Sequence, residues 1–359
     1  MKKVLILLSF LCFLFTNSQN CIKGKIKELK NLTDKPLAVI LLKENKKLIE
    51  KLEKKIAKNN KKKEKFQEQL NDYRNHISYF NTNIKEVITT YWKLNNTDNI
   101  KYFTKEELKN AKTSQYAVLD LTPENVNVNI NDIGSRFMYY YSLDVQIITY
   151  GSSENKRHKA SYKNHLTNVS YNTPGYADKE LKKAIERLIE ERKNGPKLLS
   201  KENMIASVIL SQKYIEKVLT LNDKISFQEF AEEEMKKNCK ELEGKNILFQ
   251  ETIVHGKIKN SLKDLLPKAN IELVSANRIA QAFINEEDIL VAFPIVKRLQ
   301  KSKSKLNGLS LGGTVIPVTH KIIINTKSKE IIGFVEHSGM TSYTYFKKND
   351  FKKLNEQCK

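Results

Sequence analysis

Breakers of regular structure are scarce in this chain, which has 12 glycines and 7 prolines in 359 residues. Ordinary proteins use roughly 12% of the two together, so collagen-like, mucin-like and linker-rich architectures are excluded. Arginine is scarce too. Of 63 basic residues only seven are arginine: Arg74, Arg136, Arg157, Arg187, Arg192, Arg278 and Arg298. Sequence-specific nucleic-acid readers lean on arginine's planar fork, with aromatic residues interleaved, so nucleic acid is not the expected partner. Cysteine is sparse as well: the four, Cys12, Cys21, Cys239 and Cys358, never fall at zinc-ligand spacing. No dinucleotide fingerprint, P-loop, H-E-x-x-H or C-x-x-C motif occurs. Neither a cofactor nor a metal is expected.

What the chain has is lysine, with a formal charge of +22, and a hydrophobic content of 40%. That content is enough for a sizeable core. The basic start Met1-Lys2-Lys3, the apolar run Val4 to Phe15 and the small residues Thr16 and Ser18 match a secretory signal peptide over residues 1–19. The run falls short of the roughly 20 apolar residues of a membrane span, and no later segment reaches it. The expectation is export to the periplasm or the extracellular space, with no transmembrane segment in the mature chain. Loss of Lys2 and Lys3 takes the charge from +22 to +20. Three cysteines then remain in an oxidising setting. A Cys21–Cys358 disulfide joining the two ends is one expectation, and unpaired thiols are the other.

The densest basic patch runs from Lys43 to Lys65, with eleven lysines against Glu44, Glu50, Glu53 and Glu64. It suits an anionic polymer or an anionic surface, held by counterion release. A solvated helix face is the plainer alternative. Through the same region apolar residues recur as Leu52, Ile56, Phe66, Leu70, Tyr73, Ile77, Phe80, Ile84, Val87 and Tyr91. That spacing is a heptad seam, broken only at Asn59 and Lys63. Residues 44–94 therefore form either one long helix or a hairpin turning at Asn59-Asn60, where asparagine tolerates a left-handed exit.

Further along, strands are expected over 37–42, 99–103, 116–121 and 137–150. A capping box at Thr104–Glu107 opens a short helix. Residues 152–176 read as polar and turn-rich. Helices are expected over 178–193, 200–219 and 226–242, the last opened by a second capping box at Ser226–Glu229. Then the order repeats, with strands near 246–254, 271–274 and 288–295, a helix at 257–266 and another capped by Ser275. Ile100 aligns with Ile271, Thr104 with Ser275, Leu108 with Ile279 and Ala117 with Leu290. The fold class is thus α+β (mixed α/β), with two related small lobes joined by a helical block and a long amphipathic helix or helical hairpin near the N-terminus. The boundaries are 36–150 for the first lobe, 151–242 for a polar loop and connector, 243–346 for the second lobe and 347–359 for a tail. Each lobe adds an antiparallel hairpin, the second formed by 315–324 and 331–336.

The sharpest local motif is Gly308-Leu309-Ser310-Leu311-Gly312-Gly313, which fits G-x-S-x-G. A hydrolase elbow needs a strand before the serine and a helix after it. Here a lysine-rich helical tail is expected before and a strand after, so Ser310 is a poor candidate for a nucleophile and Gly308, Gly312 and Gly313 fit a flexible turn or anion cradle. His158 and His165 lie among Lys156, Arg157 and Lys159 and suit an anion or a metal. The leading expectation is a non-enzymatic binding or envelope-associated structural protein, engaging an envelope protein or an anionic polymer. A serine hydrolase centred on Ser310 is the alternative.

Overall fold

The computed structural model describes residues 22–23, 26–29, 31–111, 113–129, 137–149, 160–169, 200–298, 305–306, 309–310, 317–338 and 345–357. The first part of the chain forms β1 (Ile22–Lys23), α1 (Ile26–Leu29), α2 (Asn31–Asp34), β2 (Leu37–Leu41), α3 (Lys46–Lys58), α4 (Lys63–Tyr91) and β3 (Ile100–Thr104). These are followed by α5 (Lys105–Asn110), β4 (Ala117–Asn129), β5 (Phe137–Thr149) and β6 (Ala160–Val169). Two helices, α6 (Lys201–Leu221) and α7 (Phe227–Asn238), precede β7 (Asn246–Gln250), α8 (Leu262–Leu265), β8 (Asn270–Val274), α9 (Ala276–Ile284) and β9 (Leu290–Arg298). The chain continues through β10 (Lys305–Leu306), β11 (Leu309–Ser310), β12 (Pro317–Asn325), β13 (Ile331–Ser338) and α10 (Lys348–Glu356). The protein is mixed α+β.

The first large sheet has the order β1-β6-β5-β4-β2-β3, and the second β13-β12-β9-β7-β8. In each, an apolar strand sits at the centre of a parallel triple and antiparallel strands extend one side. Leu37 of β2 stands opposite Ile100 and Ala117, while Ile247 of β7 stands opposite Ile271 and Leu290. Strands buried on both faces are near-continuously apolar, as Leu37-Ala38-Val39-Ile40-Leu41 is. The helices that leave the second strand of each triple start alike: the Glu107 amide donates to Thr104 Oγ1 (3.3 Å) and the Arg278 amide to Ser275 Oγ (3.3 Å). The box at Ser226 is closed in both directions, at 3.0 Å and 2.6 Å.

The two sheets share a core built around α6. Every residue from Glu202 to Ser211 is buried, as expected of a helix apolar around most of its circumference. One cluster joins Leu37, Val39 and Leu119 of the first sheet and Ile84, Val87 and Ile88 of α4 to α6. The same cluster continues to Leu248, Val291, Phe293, Ile322 and Ile324 of the second sheet. The opposite face of the second sheet, through Ile247, Phe249 and Ile323, packs on Leu262, Phe346, Phe351 and Leu354. The single tryptophan, Trp92, is fully buried. Its Nε1 donates to Asn95 Oδ1 (2.8 Å), and Asn95 Nδ2 donates to the carbonyls of Leu32 (2.6 Å) and Lys35 (2.9 Å), tying α2 to the end of α4.

Three expectations need correction. The polar stretch 152–176 contains β6, which pairs antiparallel with β5 from Thr149↔Ala160 to Tyr141↔Val169. Its polar composition had hidden a strand. Residues 257–266 are mostly a 3-10 run, Gly256–Ser261, with only one α-turn after it. Before Gly308 the described residues Lys305–Leu306 form a strand where a helical tail was expected. Residues 1–19, and the helix expected over 178–193, lie outside the described residues.

Glu202, on the central helix, accepts a hydrogen bond from the Ser200 hydroxyl. Burial pushes its carboxyl up to about 7. A raised folded-state pKa stabilises the fold below the unfolded value near 4.5 and loses that contribution as pH rises through 7. Thermal or urea unfolding should therefore show stability falling between pH 5 and pH 8 by on the order of 3 kcal/mol from this group. Glu202→Gln should flatten that slope, and a variant with an unchanged slope would exclude Glu202 as its source.

Candidate functional site

Residues 44–91 form a hairpin, and the turn is a 3-10 run at Asn60–Lys62. Asn59 has φ −130°, so no left-handed asparagine is involved. The arm carries its own small core of Ile49, Leu52 and Leu70, with Ile56, Phe66 and Tyr73 packed around it. Asn45 caps α3 by accepting from the Leu48 amide (3.2 Å), and its own amide donates to the Tyr73 hydroxyl (2.7 Å). Arg74 stands 3.6 Å from both Glu44 and Glu53, clamping α3 onto α4. The heptad seam is therefore consumed inside the chain: its first half zips the arm, and its second half, from Ile77, enters the main body.

The outer face of α3 lines an open groove of about 560 Å³, bounded by Lys47, Glu50, Lys51, Lys54, Lys55, Lys58, Asn59 and Phe66. The lysines fall at steps of four, three, one and three, which places all five on one helix face. Lys55 Nζ lies 5.2 Å over the Phe66 ring. Among the described residues, none of the five ammonium groups has a carboxylate within 4.0 Å, whereas Glu44 and Glu53 are engaged by Arg74. Like charges four apart, as in Lys47/Lys51, Lys51/Lys55 and Lys54/Lys58, each cost about 0.2–0.5 kcal/mol of helix stability. An anion seated in the groove offsets that repulsion.

The other sequence-derived residues are not brought to this groove. Ser310 lies on β11, opposite Lys305 of β10 in an antiparallel pair; the described elements before and after it, β10 and β12, are both strands, and a nucleophile elbow requires strand–turn–helix. His165 is on β6 opposite Asp144. His158, Gly308, Gly312, Gly313, Cys21 and Cys358 lie outside the described residues. Elsewhere, Glu287 grips Arg278 with two bonds (2.8 and 2.6 Å), and Asp288 accepts from Asn325 Nδ2 (3.0 Å). These carboxylates shape the turn into β9. Among the described residues no cluster of three or more His, Cys, Asp or Glu could hold a metal ion, and no helix is long and apolar enough to cross a membrane.

Two ionisable pairs that the sequence did not signal sit on β12, on opposite faces. His320, 1% exposed, has its Nε2 2.8 Å from Glu336 Oε2 and stacks on Phe227 with ring centres 5.9 Å apart. Lys321 and Asp350, 1% and 0% exposed, form a buried ion pair. Burial pushes the Lys321 ammonium down to about 8, against the raising effect of Asp350. Asp350 also accepts from the Lys347 amide (2.7 Å) at the start of α10, and the Lys321 ammonium lies 5.6 Å over the Phe346 ring. No spacing rule links residues 321 and 350, so only the tertiary fold reveals them.

No family model matches this chain, and neither the curated proteins nor the solved structures searched for resemblance contain a match.

Removing one partner of a buried pair strands the other charge at a cost of about 3–5 kcal/mol. Lys321→Ala and Asp350→Ala should each destabilise by that much in urea unfolding. The apolar double variant Lys321→Met/Asp350→Leu should recover most of the loss. If the double variant loses the sum of the singles, the pair is not acting as one unit.

Proposed function

We propose that this is an exported, non-enzymatic binding protein, associated with the cell envelope, that engages an anionic polymer through the lysine groove of its α3–α4 arm. The observation that carries the reading is the set of five lysines, 47, 51, 54, 55 and 58, gathered on one helix face without a neutralising carboxylate within 4.0 Å among the described residues. Phosphate or carboxylate groups repeated along a polymer could bridge successive ammonium groups. Each contact releases condensed counterions, and lysine acts there as a point charge with no demand for a planar partner. Phe66 provides an apolar floor for the polymer's non-ionic surface and an aromatic face for Lys55. The arm suits such a task because its own small core and the Arg74 clamp hold it in shape independently of the charged face. Export, supported by the basic and apolar start of the chain, would bring the groove to the anionic polymers of an envelope.

Fluorescence anisotropy with labelled polyphosphate and with alginate tests this reading. Binding should weaken steeply between 50 mM and 200 mM salt. Lys51→Glu/Lys55→Glu should weaken it by about 10–100-fold at the lower salt, since reversing two contacts removes both attractions and adds repulsion. Both positions are exposed, so circular dichroism should be unchanged. Equal affinities for the native chain and the double variant would overturn the proposal.

A further inference from the structure

The five lysines of the groove form a row and not a round cluster. On an α-helix, residues four apart stack into ridges. The outer face of α3 has two of them: Lys47, Lys51 and Lys55 on one, and Glu50, Lys54 and Lys58 on the other. All six residues are exposed. At the helical rise, the row from Lys47 to Lys58 is about 16 Å long. Charge is unevenly spread along it. Toward the tip of the arm, Lys54, Lys55 and Lys58 fall within about 6 Å of helix axis. The Phe66 ring stands beneath them, with Lys55 Nζ 5.2 Å from its centre. Toward the base of the arm only one ridge is cationic, because Glu50 occupies the other.

We infer that the groove takes a linear chain of closely spaced phosphates, held most tightly at Lys54, Lys55 and Lys58 and extending along α3 toward Lys47. The inference rests on the polymer-binding reading and adds the ligand's class and direction to it. A compact polyanion gathers its charge in one place and leaves the far lysines of a long row unneutralised. Three ammonium groups within about 6 Å call for anions on successive backbone units, since Coulomb attraction falls with distance. A polyphosphate chain carries a charge on every unit, with one bridging oxygen between neighbours. In a hexuronate polymer such as alginate a whole sugar ring separates the carboxylates. Glu50 repels the chain where it passes the base, so the base contributes less than the tip.

The test is isothermal titration calorimetry of the full chain at low salt. The ligands are tripolyphosphate, a linear chain of about eight phosphates, inositol hexakisphosphate and alginate. The long phosphate chain should bind at least about 10-fold tighter than each of the other three. Lys54→Gln/Lys58→Gln should weaken the long chain and tripolyphosphate alike, by about 10-fold. Lys47→Gln should weaken the long chain about threefold more than it weakens tripolyphosphate, and Glu50→Gln should strengthen the long chain by a similar margin. Inositol hexakisphosphate or alginate binding as tightly as the long chain refutes the inference and leaves the polymer reading intact. So does a Lys47→Gln loss of equal size for the long and the short phosphate. Binding by none of the four ligands removes the polymer reading, and this inference with it.

Discussion

The rest of this structure depends on the burial of one helix. From Glu202 to Ser211 every residue of α6 is buried, so water must be largely excluded from its whole circumference. A single sheet covers one side of a helix and leaves the other wet. Two sheets are therefore required, together with α4 and α9 to fill the flanks, and one continuous apolar cluster runs through them all. The fully buried side chains of this cluster each contribute about 1.5–3 kcal/mol over leaving them exposed. The two sheets are in that sense halves of one core, although each has its own parallel triple and its own antiparallel extension.

Against that apolar background the buried ionisable groups among the described residues are few: Glu202, His320, Lys321 and Asp350. Glu202 lies where the central helix begins, His320 reaches Glu336 across a strand pair, and Lys321 reaches Asp350 across a sheet–helix boundary. Desolvating a charge costs several kcal/mol unless it is matched: His320 and Lys321 each meet a carboxylate distant in sequence, whereas Glu202 has the Ser200 hydroxyl and burial pushes its pKa up to about 7. Such pairs add little net stability over apolar residues of the same volume. They penalise packings that leave either member alone.

Much of the secondary structure was legible in the sequence, because it rests on local signals. Thr104 and Ser275 advertise helix starts three residues ahead of a backbone amide. The β2 and β7 strands announce burial on both faces by unbroken apolar runs. The hairpin was legible as a seam with a gap at Asn59–Lys63, although its turn is built by a 3-10 run instead of a left-handed asparagine. What was hidden is what depends on distant partners. The β6 strand carries Asn, His, Lys and Ser, and it is a strand because β5 offers it a ladder. The lysine density was plain from composition, but only the helix phase shows that five of the lysines share one face while the nearby Glu44 and Glu53 are spent on Arg74. The Lys321–Asp350 pair left no trace, since nothing in the intervening 28 residues marks their meeting.

The placement of Asp350 has a consequence for the order in which the molecule can be completed. A polypeptide emerges N-terminus first, and domains generally fold as they appear. Lys321 is in hand once β12 has emerged, yet the carboxylate that neutralises it arrives only with α10. Until then the outer face of the second sheet has a bare cation at its centre and lacks Phe346, Phe351 and Leu354 to cover Phe249. That face of the second sheet is therefore complete only once α10 is in place. Timing, as well as stability, is written into the position of that one aspartate.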